Sequence, residues 1–371
     1  MDLAQRALAM LGLLVGLGVV GLGLASACIP RREAPPTAQP GQSGGPPAAL
    51  PQGGGLLQAK RTTPVPAPEQ RTTPVARYGQ LGVRGAQLVD AQGEPVVLRG
   101  QAFGWHNWWP QYYNAQVVRW LRDDWCVDIV RPAMGIEPGG AYLADPAASK
   151  QRITTVVDAA IESGVYVIID WHAHQPHQQE AVTFFGEMAR RYGQKPNVLY
   201  EIFNEPEKDT TWPQMKQYAL AVIGAIRRHD PDNLVIVGCP EWDQRIDWVA
   251  ADRLQGQTNV VNSVHFYAGT HGQWLRARTQ SAIDAGIPVV VTESGGSEAS
   301  GQGPNNYPEW NAWFEFMEQN RISWLNYSVS DKAGETISVL RPGAGASGHW
   351  NEAELTESGQ QVRGLLRSHC Q

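Results

Sequence analysis

The chain has 371 residues, 42% of them hydrophobic and 18% charged, with a formal net charge of −6. This length allows a large core and more than one ordinary domain. The mild acidity, with no basic run or patch, argues against a nucleic-acid partner. The 14 tryptophans either fill core or offer flat rings for stacking, and composition alone does not decide between the two.

Residues 1–28 open with Arg6 and then run apolar from Ala7 to Ala27, the pattern of an export signal. Ala25-Ser-Ala27 suits ordinary cleavage, and the run is also about long enough to span a bilayer uncleaved. Leu24-Ala-Ser-Ala-Cys28 resembles a bacterial lipoprotein signal, although Ala25 stands where Leu is commoner. All three readings export the chain. The expectation taken forward is a lipid anchor at Cys28, with the protein extracellular or held at the cell surface.

Residues 29–76 are rich in Pro, Gly, Gln, Ala and Thr, and Arg61-Thr-Thr-Pro-Val65 recurs as Arg71-Thr-Thr-Pro-Val75. Such a segment has too little apolar surface to order itself. It reads as a disordered tether, extended at roughly 3 Å per residue where proline dominates. The catalytic-type domain is then expected over 77–371.

From Tyr78 the texture changes. Leu81-Gly-Val-Arg84 and Gln87 to Arg99 read as short strands about an Asp/Gly/Pro turn. Eight apolar runs follow, beginning at Val97, Val127, Val165, Val198, Leu234, Val260, Val289 and Ile322. Helical patterns such as 150–163, 178–192 and 212–229 lie between them. Alternation of this kind over about 250 residues predicts an α/β fold, a single (β/α)₈ TIM barrel. A doubly wound open sheet is the alternative, but no Gly-rich phosphate fingerprint follows the first strand.

The run Val198-Leu-Tyr-Glu-Ile-Phe-Asn204-Glu205-Pro206 ends in an amide and a carboxylate before proline stops the strand. Ile287-Pro-Val-Val-Val-Thr-Glu293 repeats the design. A carboxylate at the end of a buried strand is costly unless it has a task, and barrel active sites are built at the carboxyl ends of strands. Arg131, His106, His172, His265 and Tyr267 also fall at or just past strand ends. Each has an ordinary structural explanation alone, but one barrel face would gather them all. Two strand-end carboxylates are what acid/base work on a glycosidic bond requires.

Several stretches in order resemble glycoside hydrolase family 5, in its bacterial cellulase (endo-β-1,4-glucanase) branch. They are Arg99-Gly-Gln-Ala-Phe-Gly-Trp-His106, Asp128-Ile-Val-Arg-Pro-Ala-Met134, Val167-Ile-Ile-Asp-Trp-His172 and Tyr200-Glu-Ile-Phe-Asn-Glu-Pro206. Ser263-Val-His-Phe-Tyr-Ala-Gly-Thr-His-Gly272, Thr292-Glu293 and Asn326-Tyr-Ser-Val-Ser-Asp-Lys332 complete the match from Tyr78 to about Arg367. The resemblance implies a retaining mechanism with Glu205 as acid/base and Glu293 as nucleophile. It makes Arg131 the cationic partner of Glu293, Tyr267 a hydrogen-bond donor to it, and Asn204 the contact to the sugar 2-OH. His172 and His265 would orient substrate and acid/base, and His106 would reach the adjoining sugar. Trp109, Trp212, Tyr327, Lys332 and Glu335 are the expected substrate contacts. Two positions depart from the family: Ser294 follows the nucleophile where an aromatic is common, and Tyr327 stands where Trp is usual.

No cofactor or metal is expected, and the partner is a β-glucan polysaccharide met by a monomer. His172-Ala-His174 with His177 has metal-ligand spacing, but it follows the third strand, whereas barrel amidohydrolases carry such a pair on the first. A surface-tethered glucan-binding protein on a retired barrel would be expected to have lost Glu205 or Glu293. Mannan or xyloglucan could serve as substrate by the same two carboxylates.

Apart from Cys28, the chain has Cys126, Cys239 and Cys370. Cys126 opens the second strand and Cys370 follows the last helix, so both should lie at the amino-terminal face of the barrel. Cys239 closes the fifth strand at the opposite face. A Cys126–Cys370 disulfide and a free Cys239 follow.

Overall fold

Parallel strands close on themselves in the computed structural model, which describes residues 54–57 and 66–370. A hairpin of β1 (Gly82–Arg84) and β2 (Gln87–Val89) precedes β3 (Arg99–Phe103), β4 (Ile129–Arg131) and β5 (Ala133–Gly135). Then come β6 (Tyr166–His172), β7 (Val198–Glu201), β8 (Val235–Val237), β9 (Val260–Tyr267), β10 (Val289–Gly295) and β11 (Trp324–Val329). The order around the sheet is β4-β3-β11-β10-β9-β8-β7-β6-β5, and a β4–β6 pairing closes it. These nine segments make eight barrel positions. Pro132, which has no N–H to give the ladder, splits the second position into β4 and β5. Both halves pair with β6, at Ile129↔Tyr166 and Ala133↔Asp170. The (β/α)₈ expectation holds.

Alternation along the strands separates two packing layers. Inward-facing Ile129, Tyr166, Ile168, Leu199, Ile236, Val261, Val290 and Leu325 form one apolar cluster inside the barrel. The intervening Val130, Val167, Ile169, Tyr200, Val235, Val264 and Val291 belong to a larger cluster shared with the helices. Continuing the inward rows toward the carboxyl ends changes their chemistry. Ile129 leads to Arg131, Ile168 to Asp170 and His172, Leu199 to Glu201, and Val261 to Ser263, His265 and Tyr267. A register shift between Val290 and Glu293 in β10 interrupts that alternation at the catalytic end. Gly100 has room for no side chain, because a Cβ there would lie 2.0 Å from the Ile129 carbonyl oxygen of the adjacent strand.

After the short α1 (Pro74–Tyr78) and α2 (Ala115–Trp120), the outer layer holds α3 (Pro146–Ser163), α4 (Gln178–Tyr192) and α5 (Trp212–Arg227), then the short α6 (Pro240–Asp243) and α7 (Ile246–Ala251), and α8 (Gln273–Asp284), α9 (Tyr307–Asn320) and α10 (Glu357–Ser368). Their ends follow local chemistry. Asp145 caps α3 by accepting from Ala148 N, with Pro146 at the first position and Gly164 in a left-handed C-cap. The tryptophans divide between the two readings of composition. Trp125, Trp171, Trp310, Trp313, Trp324 and Trp350 are fully buried filler, whereas Trp108 and Trp274 are about half exposed.

The hairpin closes the barrel floor, where Leu81, Leu88 and Val96 join the interior cluster. At this end Cys126 and Cys370 form a disulfide with a Cα–Cα distance of 5.3 Å, and Cys239 is free and buried. Cys28 and most of the expected tether lie outside the described residues, so the signal and anchor readings are untouched. Two described parts of 29–76 nevertheless correct the expectation of disorder through residue 76. Arg71 Nη1 reaches both disulfide sulfurs, at 2.9 and 3.0 Å, and the Arg122 carbonyl. Thr73 caps the one-turn helix α1 (Pro74–Tyr78). Leu56 is buried, with its N–H on Gln361 Oε1, while Asn311 bonds Leu57 N and the Gly55 carbonyl. A composition averaged over the segment hides the few residues that a preformed barrel surface is able to hold. Among the described residues, no helix is long and apolar enough to cross a membrane.

Candidate active site

Arg131, at the end of β4, is wholly buried and binds four acceptors. Its Nε donates to Glu201 Oε2 at 2.5 Å and its Nη1 to Glu293 Oε2 at 3.1 Å. Its Nη2 donates to Asn204 Oδ1 at 2.5 Å and lies 3.2 Å from Asp170 Oδ2. Burial opposes the guanidinium charge, but Asp170, Glu201 and Glu293 outweigh it and raise its pKa. Burial also pushes the Asp170 carboxyl up, to about 7, and raises Glu201. The interior carboxyls therefore need not all be ionised around one cation. Tyr267 OH donates to Glu293 Oε1 at 2.5 Å, and burial together with Glu293 raises its pKa, which keeps the phenol protonated.

Glu205 follows β7 and is fixed from both sides. His265 Nδ1 lies 2.9 Å from its Oε1, and His174 Nε2 lies 3.5 Å from its Oε2. The Glu205 N–H donates to the Ala173 carbonyl, which ties the loops after β6 and β7 together. On its other nitrogen, His265 Nε2 meets Thr292 Oγ1 at 2.8 Å. Thr292 spends its hydroxyl proton on Glu201 Oε1 at 2.5 Å, so it accepts from His265 Nε2–H. One proton is left to lie between His265 Nδ1 and Glu205 Oε1. Burial opposes charge on His265, but Asp243 at 3.3 Å and the Glu205 bond raise it to about 9. Burial likewise acts to raise Glu205, but hydrogen bonds from His174 and His265 win and bring it down. Oxygens of Glu205 and Glu293 and a ring nitrogen of His265 all lie within 4.8 Å of one another.

Asn204 is held with its Oδ1 on Arg131, which turns Nδ2, buried and without a partner among the described residues, away from the guanidinium. His172 Nδ1 pairs with Asp170 Oδ2 at 2.7 Å, and its ring stacks on Tyr327 at 6.1 Å. Burial and Arg131 lower His172 to about 3, so the ring is neutral. Lys332 and Glu335 pair with each other on the surface beyond β11. Trp109 stands edge-on to the exposed Trp108.

Two expected contacts are corrected. His106 is wholly buried, and both ring nitrogens are used internally. Gly135 N–H donates to Nδ1 at 3.1 Å, and Nε2 meets Ser149 Oγ at 2.8 Å, leaving nothing for a sugar. Trp212 is 3% exposed at the start of α5, with Nε1 donating to the Asp252 carbonyl, so it is core rather than platform. Trp242 and Trp274 are not among the residues expected from the sequence. They line a cleft of about 550 Å³ that also contains Glu205, His265, Tyr267 and Glu293. Trp242 sits with Glu241 and Asp243 in a left-handed turn after β8, where φ is 58°, 55° and 60° for Glu241, Trp242 and Asp243. The only hint in the sequence was a Trp just past a strand end. Trp105 was also missed. Its ring stacks on Trp108 at 4.6 Å and on His174 at 5.7 Å, and Gly135 is needed beside it because a Cβ there would lie 2.5 Å from the indole.

The metal-ligand spacing at 172–177 does not become a cluster. His172 turns to Asp170, His174 to Glu205, and His177 Nε2 to Glu137 Oε1 at 3.4 Å.

Comparisons with known proteins agree with this geometry. The sequence profile of Cellulase (glycosyl hydrolase family 5) matches residues 89–333. Endoglucanase N of Pectobacterium atrosepticum is 43% identical over 302 residues, covering 80% of this chain and 67% of that protein. Endoglucanase Z of Dickeya dadantii is 42% identical over 293 residues, covering 78% and 66%. The chain thus spans about two thirds of the length of these curated relatives. Among solved structures, the catalytic domain of Thermobifida fusca endoglucanase Cel5A (E5) superposes with a TM-score of 0.76 at 35% identity, covering 80% of this chain and 99% of that one. On its sequence, its barrel and its paired carboxylates, the chain belongs to glycosyl hydrolase family 5.

Proposed function

We propose that this protein is a retaining endo-β-1,4-glucanase. The observation that carries the reading is the approach of Glu205 and Glu293 oxygens to within 4.8 Å. Retaining glycosidases hold their carboxyls roughly 5 Å apart, whereas inverting enzymes leave room for a water between them. Glu293, oriented by Arg131 and Tyr267, attacks the anomeric carbon. The C1–O bond breaks as the leaving oxygen takes a proton from Glu205, and a glycosyl ester forms on Glu293. Water then attacks C1, gives a proton to Glu205, and releases Glu293. The free Asn204 Nδ2 is placed to donate to the sugar 2-OH, a bond that strengthens as oxocarbenium character develops. Trp242 and Trp274 supply flat faces on the Glu205 side of the cleft, and Trp105, Trp108 and Trp109 a second set beside His172 and His174.

A β-1,4-glucan backbone is supported by the relatives' designation as endoglucanases, and by cellotetraose bound to one solved relative. Export is supported by the apolar run at 7–27 and by the Cys126–Cys370 disulfide, which belongs to oxidising compartments. Tethering through Cys28 completes the proposal. Product profiling of the purified protein on carboxymethyl-cellulose, mixed-linkage glucan, mannan, xyloglucan and xylan tests the substrate. Internal cleavage of the first two with retained anomeric configuration is expected, and preference for mannan or xyloglucan would reassign it.

A further inference from the structure

We propose that His174 is a positioning residue that controls the proton of Glu205 through Oε2, the carboxyl oxygen that His265 leaves open. The proposal rests on the reading of Glu205 as the acid/base.

The two oxygens of Glu205 have different neighbours. Oε1 is occupied by His265 Nδ1 at 2.9 Å, inside a chain that runs on through Thr292 to Glu201. Among the described residues, the side chain that Oε2 meets is His174, whose Nε2 lies 3.5 Å away. The His174 side chain is 28% exposed and that of Glu205 is 16% exposed, while His265 is only 1% exposed. The leaving oxygen therefore approaches Oε2, and His174 stands beside the proton that has to move.

His174 is held there by a built site. Glu137 Oε1 accepts the backbone N–H groups of His174 and Gln175, both at 3.0 Å. The imidazole stacks on Trp105 with an interplanar angle of 15°, and His172 meets its edge at 6.2 Å. Titratable groups face it from each neighbouring element: Asp170 and His172 from β6, Glu137 after β5, Glu205 after β7, and Glu293 from β10. Burial opposes charge on the ring, but Glu205, Glu137 and Glu293 outweigh it and raise its pKa.

A carboxyl and an imidazole this close titrate as a pair. Their one proton lies either on Oε2 beside neutral imidazole or on Nε2 beside carboxylate. The pair loses it at a pH no lower than Glu205 would beside a neutral, non-titrating neighbour, so His174 extends the protonated form toward alkaline pH. In the first step the proton leaves Oε2 for the departing sugar oxygen. In the second, the attacking water returns a proton to Oε2, so His174 has no net gain or loss over the cycle.

The test is the pH dependence of kcat/KM on a soluble cello-oligosaccharide, measured with the full chain and with folding checked by circular dichroism. His174→Gln is expected to move the alkaline limb to lower pH by about one unit, the size of shift that a neighbouring charge produces. Glu137→Gln, which removes a carboxylate that favours the His174 cation, should move it the same way by less. An unmoved limb, or a loss of equal factor at every pH, overturns the role in whichever variant folds. Glu205→Gln separates this from the underlying reading. If it keeps turnover, the acid/base assignment fails; if it is inactive while the His174→Gln limb stays put, only the His174 inference fails.

Discussion

Glu201 and Arg131 meet at 2.5 Å with both side chains wholly buried, and this contact links the two halves of the site. Through Arg131 it reaches Glu293 and Asn204; through Thr292 it reaches His265 and Glu205. Glu201→Ala would leave the wholly buried guanidinium short of a partner. Loss of about 3–5 kcal/mol of stability is expected, read by urea unfolding, together with lower turnover. A variant as stable as the parent would show that the pair does not organise the site.

Glu293→Ala should lose turnover by about 10⁴-fold or more, because no ester can form. Added azide should restore glycosyl transfer and give a product of inverted configuration. Glu293→Ala that stays active without an added nucleophile contradicts the assignment.

Trp212→Ala and Trp242→Ala should fail differently. Trp212 is core, so its truncation should cost about 3–5 kcal/mol of stability. Trp242 lines the cleft, so its truncation should raise KM on long substrates with little change in melting temperature. Thermal melts and initial rates on cello-oligosaccharides of increasing length distinguish the two.

His106 gives a stability prediction with a definite sign. Burial and Arg152 lower it to about 4 from an ordinary 6.5. Above pH 6.5 folded and unfolded states are both neutral there. As pH falls from 6.5 toward 4, the unfolded chain takes up a proton that the folded one excludes, and stability falls by on the order of 2–3 kcal/mol. His271, also lowered to about 4, acts in the same direction, while Asp128, raised to about 6, acts in the opposite one. The His106→Gln variant isolates one share: its unfolding free energy should depend less steeply on pH across this window. An unchanged slope would refute a neutral buried His106.

Replacing Cys126 and Cys370 by Ser opens a closure spanning 244 residues at the barrel floor. Stability should drop by about 3–5 kcal/mol on the chain-entropy account. The carboxyl-end catalytic face should be untouched, so kcat below the melting transition should stay within about twofold. A large loss of kcat in the folded double variant would contradict this separation of the two faces.

Strand periodicity and strand-end chemistry carried the barrel, because a side chain's face in a strand depends only on its position in the run. The same rule makes Glu205 and Glu293 legible, since each ends an apolar run where a buried carboxylate is otherwise costly. It does not reach residues whose placement depends on loops. His106 and Trp212 have the right types near the right strand ends, yet Ser149 with Gly135, and Asp252, claim their polar atoms. Trp242 becomes a cleft wall only through the left-handed turn after β8. His174 had the spacing of a metal ligand, and only the approach of the β6 and β7 loops turns it onto Glu205. Leu56 and Arg71 sit in a stretch with the composition of a tether, but the folded barrel offers them the Gln361 side chain and the disulfide. Short-range pattern fixes which way a strand residue points. Which partner a loop residue meets is decided by contacts between segments far apart in the chain, and these exist only once the barrel has closed.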